Sequence, residues 1–369
     1  MFPHRLAVAG ETVVEVTGRV TLTSRAPGGV ELTEAELTTI AEPSARPPFD
    51  LHRPTVTAGL PSILDNAAYA LRHPLLRRRF EVAAASVAGF RRTLDGLGFT
   101  EVHTPKLVAT ATESGANVFA LDYFGRPAYL AQSPQLFKQA LVGVFERVYE
   151  VGPVFRAEPH DTARHLAQYT SLDAELGFIR DHRDVMAVLR EVVAGMAAAV
   201  APLAEVPDVP GEIPAVDFLA AQALLAEHTG EDPRGEPDLA PAHERWLSDW
   251  ARREHGSDFL FVTGYPMAKR PFYTQPSPST PDRSNSFDLL FRGLELVTGG
   301  QRRHRHAEYL AVLGQEAANH ADYLAAFAHG LPPHGGFAIG LERWTARLLG
   351  LANIREATLF PRDLHRLRP

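Results

Sequence analysis

Between residues 147 and 179 the sequence spells two strands around a short charged loop, and the second strand limits what can be built around it. In 168–179, Leu172, Ala174, Leu176 and Phe178 alternate with Ser171, Asp173 and Glu175. One face therefore belongs to a core and the other is polar. The first strand, 147–158, leads into the polar loop 159–164. Such a hairpin needs a large partner surface, and a chain of 369 residues can supply one. At roughly 150 residues per domain, that length predicts about two domains, or one large domain with an insertion.

Composition narrows the class. Lys and Arg number 37 against 44 Asp and Glu, a formal charge of −7, with 45% hydrophobic and 22% charged residues. This is an ordinary globular composition and excludes collagenous, disordered and disulfide-scaffold chains. The absence of cysteine removes thiol nucleophiles, thiolate metal sites and disulfides, and fits a reducing compartment. Any metal must then sit on oxygen or nitrogen ligands. Neither a signal-type apolar run at the N-terminus nor an uninterrupted membrane span is present, so the expectation is a cytoplasmic protein with no membrane partner. The mild acidity argues against a surface coated for non-specific nucleic-acid binding, although a local basic face would still dock RNA.

Along the chain, residues 1–51 hold short β-like runs, TVVEVTGRVTL and GVELTEAELTTI, split by the turn signal Ala26-Pro27-Gly28-Gly29. A Pro-rich connector begins at Glu42, and 52–65 is read as linker. The remainder, 66–369, forms the second domain. Apolar residues at helical spacing predict a helix over 75–97, stopped by Gly98 and followed by a strand, 99–103, that closes at Pro105. An Ala-rich helical insertion spans about 183–255, with a Pro/Gly-rich interruption at 206–214. Strands resume at 259–263 and 287–297, and a Gly-rich strand at 335–340 runs into a helix beginning near Leu341.

HGGFAIGLER spaces Gly335 and Gly340 like a phosphate loop but follows them with Leu341 and Glu342, so it is not a Walker A motif. HExxH, GxSxG and dinucleotide fingerprints are also missing. Four clusters carry the chemistry instead. Arg156, Arg164 and His165 place three potential cations near one turn, which calls for a polyanion such as a triphosphate. Asp288 and Glu295 would face opposite sides of one continuous strand, but a turn or bulge at Arg292-Gly293 brings them to one side, where they suit Mg²⁺ on phosphates. Glu113, Gln135 and Lys138 lie in mostly apolar text: Glu113 suits an α-ammonium and Lys138 a side-chain carboxylate, although Lys138 alone reads as a surface lysine. Arg343 opens the last helix, where the dipole favours an anion. His304 and His306 alternate with arginines and read as a solvated basic stretch rather than a metal site.

Taken together, GFTEVHTP, VYEVGPVFRAE through RHLAQYTSLDAE, and GGFAIGLER with NIREATLFPRD resemble motifs one, two and three of the class II aminoacyl-tRNA synthetases. ATESGANVF, QSPQLFKQ and SNSFDLLFRGLELVTGGQRRH stand between them, and the likeness, over about 71–369, is closest to the archaeal and eukaryotic-type aspartyl enzymes. The resemblance implies an α+β fold, an antiparallel sheet flanked by helices, with a homodimer formed through motif one. It implies that Arg156 holds the α-phosphate of ATP and that Glu158, Leu166 and Gly340 belong to the ATP site. Arg164, His165 and Arg343 would bind the outer phosphates, Tyr169 would stack on adenine, and Asp288 and Glu295 would hold Mg²⁺. Glu113 and Gln135 match residues around the amino acid's ammonium, Lys138 and Arg302 match the clamp on the aspartate side chain, and Thr298 matches a small polar contact to amino acid and metal. Ser114, Gln168 and Ala338 depart from the usual family residues.

The N-terminal piece resembles only the last part of the family's anticodon-binding OB domain. The expectation is therefore an ATP-dependent, AMP-forming aspartate ligase whose acceptor is a small amine or ammonia rather than tRNA. Genuine tRNA charging is the alternative, and a non-enzymatic regulatory paralogue a remote third. Any tRNA contact is expected to lack anticodon reading, because no aromatic residue falls on either candidate strand of the β piece.

Overall fold

The computed structural model describes residues 8–110 and 117–369, which fall into two compact units, Met1–Asn66 and Ala67–Pro369. In the first, β1 (Val13–Leu22) and β2 (Val30–Ala41) pair as an antiparallel hairpin. Helix α1 (Leu60–Asp65) then forms inside the segment expected to be linker, with Pro61 in its first turn. The sheet that β1 and β2 form among the described residues is two-stranded, and such a ribbon by itself buries little. No residue of either strand is buried, and Val20 and Leu22 are 68% and 84% exposed.

The second unit opens with the short α2 (Ala67–Ala70) and α3 (Pro74–Gly96). His73 caps α3, its Nδ1 accepting from the Leu75 amide at 3.2 Å, and Pro74 sits in the first turn, where its missing N–H costs nothing. β3 (Thr100–Glu101) comes next, then a small sheet of β4 (Leu107–Val108), β5 (Ala120–Tyr123) and β6 (Arg126–Leu130). After α4 (Gln135–Phe145) the predicted hairpin appears as β7 (Arg147–Phe155) and β8 (Gln168–Gly177). The alternation of β8 stops at Gly177: Phe178 takes a φ of 60° and is exposed rather than part of the core.

The segment expected to be a helical insertion holds α5 (His182–Val200), α6 (Phe218–Thr229) and α7 (Pro241–His255), and also the strand β9 (Ala215–Asp217). The Pro-rich stretch after α5 delivers an extended backbone to the sheet edge, where the Pro214 carbonyl accepts from the Phe261 amide at 2.9 Å. The chain closes with β10 (Phe259–Thr263), β11 (Ser286–Phe291), β12 (Leu294–Arg302), α8 (His306–Leu313), α9 (Ala321–Ala328), β13 (His334–Gly340) and α10 (Leu341–Leu348). Among the described residues no helix is long and apolar enough to cross a membrane.

Among the described residues eight strands form the main sheet, in the order β3-β7-β8-β13-β12-β11-β10-β9. The inner six are antiparallel, and the short edge strands β3 and β9 pair in parallel. One face carries Leu172, Ala174, Phe337, Ile339, Phe287 and Leu289 into a core shared with Phe90 and Leu94 of α3 and with Leu189, Val192 and Val193 of α5. The other face is polar. Across it the register aligns Asp173, Ala338, Thr298 and Asp288 in one row and Glu175, Gly336, Gly300 and Ser286 in the next.

Candidate active site

A cavity of about 530 Å³ opens over this polar face. Its lining includes Gln135, Lys138, Arg156, Glu158, Arg164, His165, Leu166, Tyr169, Glu295, Thr298, Arg302, Gly340 and Arg343, residues that the sequence distributes over more than 200 positions. Asp288 is buried beside it rather than lining it. Glu113 and Ser114 lie outside the described residues.

At one end stand two buried cations. Lys138 Nζ donates to Asp173 Oδ1 at 3.0 Å and lies 3.2 Å from Glu175 Oε2. Arg302 Nε donates to Glu175 Oε1 at 3.0 Å and its Nη2 to the Gly336 carbonyl at 3.1 Å. Lys138 is 1% exposed, so it is not the surface lysine that its local text suggests: its partners are supplied by β8, far along the chain. Burial opposes the charged form of Glu175, but the Arg302 and Lys138 cations outweigh it and hold the carboxyl below its ordinary range. The close approach depends on Gly336, where a Cβ would run into the Ala174 carbonyl and Glu175 Oε2.

At the other end the segment between β7 and β8 presents Arg156, whose guanidinium lies 5.8 Å from the Tyr169 ring centroid. Arg164 is tied to Glu244 of α7 at 2.8 Å. His165 lines the cavity beside Arg156 and Arg164. Burial, then the neighbouring His160, Arg343 and Arg164, push its pKa below 6.5. Arg343 Nη1 donates to the Glu295 carbonyl at 3.2 Å. Glu342 accepts from the Thr170 amide at 3.0 Å, and burial raises its pKa to about 7.

The acidic pair is built by a tight hairpin and a bulge. Arg292 and Gly293 turn with φ of 46° and 82°, a left-handed pair suited to a two-residue connection. Leu289 pairs with Val297 but Leu290 with Glu295, so Leu296 is the extra residue. That shift brings Glu295 to the side of Asp288. Asp288 accepts from Arg270 Nη2 at 3.1 Å on both oxygens, and the Arg270 guanidinium sits 4.1 Å from the Tyr265 ring centroid. Burial raises the Asp288 pKa to about 6, Arg270 opposing and Glu295 adding to the rise. Thr298 donates to Glu295 Oε1 at 3.1 Å. Among the described residues no group of three or more His, Asp or Glu side chains gathers for a metal. Glu295 and Thr298 line the cavity and suit Mg²⁺, which commonly takes one or two carboxylates and completes its shell with water and phosphate; Asp288 would join them on releasing an oxygen from Arg270.

Asp173, Glu175, Arg270 and Glu342 are among the side chains of the site that escape sequence reasoning as site residues. For the first two a signal exists, two acids at i and i+2 on the polar side of a strand. For Arg270, at the end of a 3-10 turn, no local pattern points to Asp288.

The family profile described as tRNA synthetases class II (D, K and N) matches residues 61–364. The aspartate–tRNA(Asp/Asn) ligase of Deinococcus radiodurans is 44% identical over 376 residues, covering 97% of this chain and 86% of that protein. Its namesake from Aeropyrum pernix is 41% identical over 379 residues, covering 97% and 84%. Among solved structures, asparaginyl-tRNA synthetase from Pyrococcus horikoshii complexed with asparaginyl-adenylate superposes with a TM-score of 0.88 at 30% identity, covering 98% of this chain and 85% of that one. On profile, sequence and fold alike, the chain belongs to the class II tRNA synthetases of the D, K and N group, and is an ATP-dependent ligase.

Proposed function

We propose that the protein activates aspartate with ATP and transfers the aspartyl group to tRNA. The observation that carries the amino-acid choice is the pair of buried cations, Lys138 and Arg302, at the cavity's inner end. Gln135 Oε1 is an acceptor beside Arg302 that would take the α-ammonium. Lys138 and Arg302 carry N–H donors and no acceptor, so an aspartate side chain, which only accepts, completes charge-assisted hydrogen bonds with both, whereas the amide nitrogen of asparagine would set donor against donor. The expectation of a small amine or ammonia as acceptor gives way here to tRNA, because relatives at 41% and 44% identity over 97% of this chain are named aspartate–tRNA(Asp/Asn) ligases.

In the first step the aspartate α-carboxylate attacks the α-phosphorus in line and pyrophosphate leaves. Arg156 neutralises charge on the α-phosphate, Tyr169 stacks on adenine, and Arg164 and Arg343 hold the outer phosphates. Mg²⁺ held by Asp288 and Glu295 would supply charge neutralisation on the phosphates. In the second step a hydroxyl at the tRNA acceptor end attacks the mixed anhydride and AMP leaves. Pyrophosphate exchange into ATP tests the first step: aspartate should support it and asparagine should not. Exchange that prefers asparagine would overturn the assignment.

A further inference from the structure

Beside the amino-acid pocket, and outside the cavity lining, lies a buried polar chain formed by Gln139, His334, Tyr309 and Tyr323. We propose that it fixes the sense of the Gln135 amide, so that Gln135 presents its carbonyl oxygen, an acceptor, to the pocket. His334 and Gln139 are then positioning residues for amino-acid binding, a role that rests on the proposed activation of aspartate.

Two backbone carbonyls set the direction. His334 Nδ1 lies 2.8 Å from the Pro332 carbonyl, which can only accept, so Nδ1 carries the hydrogen and Nε2 of the neutral ring is an acceptor. Gln139 Nε2, 3.0 Å away, must be the donor to it, and its second hydrogen points to the Tyr309 hydroxyl at 3.3 Å. Tyr309 in turn gives its own hydrogen to the Arg303 carbonyl at 2.9 Å. Gln139 Oε1 is thereby left to accept, and does so from Gln135 Nε2 at 2.9 Å. The single hydrogen of the Tyr323 hydroxyl reaches either Gln139 Oε1 at 3.2 Å or the Tyr309 oxygen at 2.8 Å, and both choices leave the direction unchanged. With its nitrogen committed, Gln135 turns Oε1 toward Arg302 Nη2, at 3.4 Å, and the cavity.

Reversing the Gln135, Gln139 or His334 link sets two donors or two acceptors against each other in a dry site. Burial keeps the His334 ring neutral, with Arg302 and His304 reinforcing this against the pull of Glu175. An inverted Gln135 would aim N–H groups at both Arg302 and an incoming ammonium.

The test compares His334→Leu, which removes the acceptor, with His334→Gln, whose amide can restore both a donor and an acceptor. In pyrophosphate exchange, His334→Leu should raise KM for aspartate about tenfold, the equivalent of one hydrogen bond of about 1.4 kcal/mol, with kcat and KM for ATP little changed. His334→Gln should recover most of that loss. An unchanged KM for aspartate, a parallel rise in KM for ATP, or a His334→Gln variant as impaired as His334→Leu would overturn the proposal. Should His334→Leu fail to fold, nitrogen-15 NMR of the wild-type protein decides: a neutral ring protonated at Nδ1 at pH 7 is required, and protonation at Nε2 refutes it. Wild-type protein that exchanges no pyrophosphate with aspartate would instead refute the underlying activity.

Discussion

Lys138 is the residue on which amino-acid choice turns. Removing its charge leaves Asp173 and Glu175 facing one remaining cation in a buried site, and breaking such a pair costs about 3–5 kcal/mol. Lys138→Leu should therefore lower the midpoint of denaturant unfolding and cut aspartate-dependent exchange at least about tenfold, with KM for ATP unaffected; unaltered discrimination against asparagine would argue that the clamp lies elsewhere. Glu342 makes a separate, pH-dependent prediction. Its pKa rises from 4.5 to about 7 through burial, so the folded state holds the proton more tightly than the unfolded chain. The stabilisation is complete below pH 4.5 and lost as pH rises through 7. Relative to Glu342→Gln, the wild type should lose up to about 3 kcal/mol between about pH 4.5 and 7.5, measured as the difference between two unfolding curves; a difference independent of pH would contradict the assignment. The same residues show what a sequence can reveal. The Asp288–Glu295 pair was legible because seven positions and an Arg-Gly turn make a local problem. The burial of Lys138 was not, because it depends on carboxylates 35 and 37 positions away, and nothing in QLFKQ records that pairing.

Among the elements, the Gly-rich strand β13 sets how closely side chains can lie on the sheet. Gly336→Ala would push a methyl group into the Ala174 carbonyl and the Glu175 carboxylate. The expected cost is about 1–3 kcal/mol of overpacking, together with loss of aspartate exchange as Glu175 and Arg302 are displaced. A variant with wild-type stability and KM would show that the strand accommodates a side chain there. The alternation in β8 and the helical period of α3 announced their faces in advance, since one partner layer explains each pattern. β9 was hidden, because three residues at a sheet edge carry too little periodicity to separate them from the helices on either side.

For the whole molecule, a homodimer through the region around α3 and β3 is expected, with light scattering giving twice the 40.4 kDa chain mass; a stable monomer at working concentration would count against it. The β1–β2 hairpin carries no aromatic residue on either strand, so for this chain tRNA should be engaged through backbone charge and the acceptor end, without stacking of anticodon bases. Whether aspartate reaches tRNA at all is decided by incubating the protein with ATP, Mg²⁺ and labelled aspartate, and offering either tRNA or ammonium as acceptor. The expected result is label on the 3′ end of tRNA, retained when an anticodon base is changed, and little free asparagine. Label that passes to ammonium and never to tRNA would contradict the assignment of tRNA as acceptor.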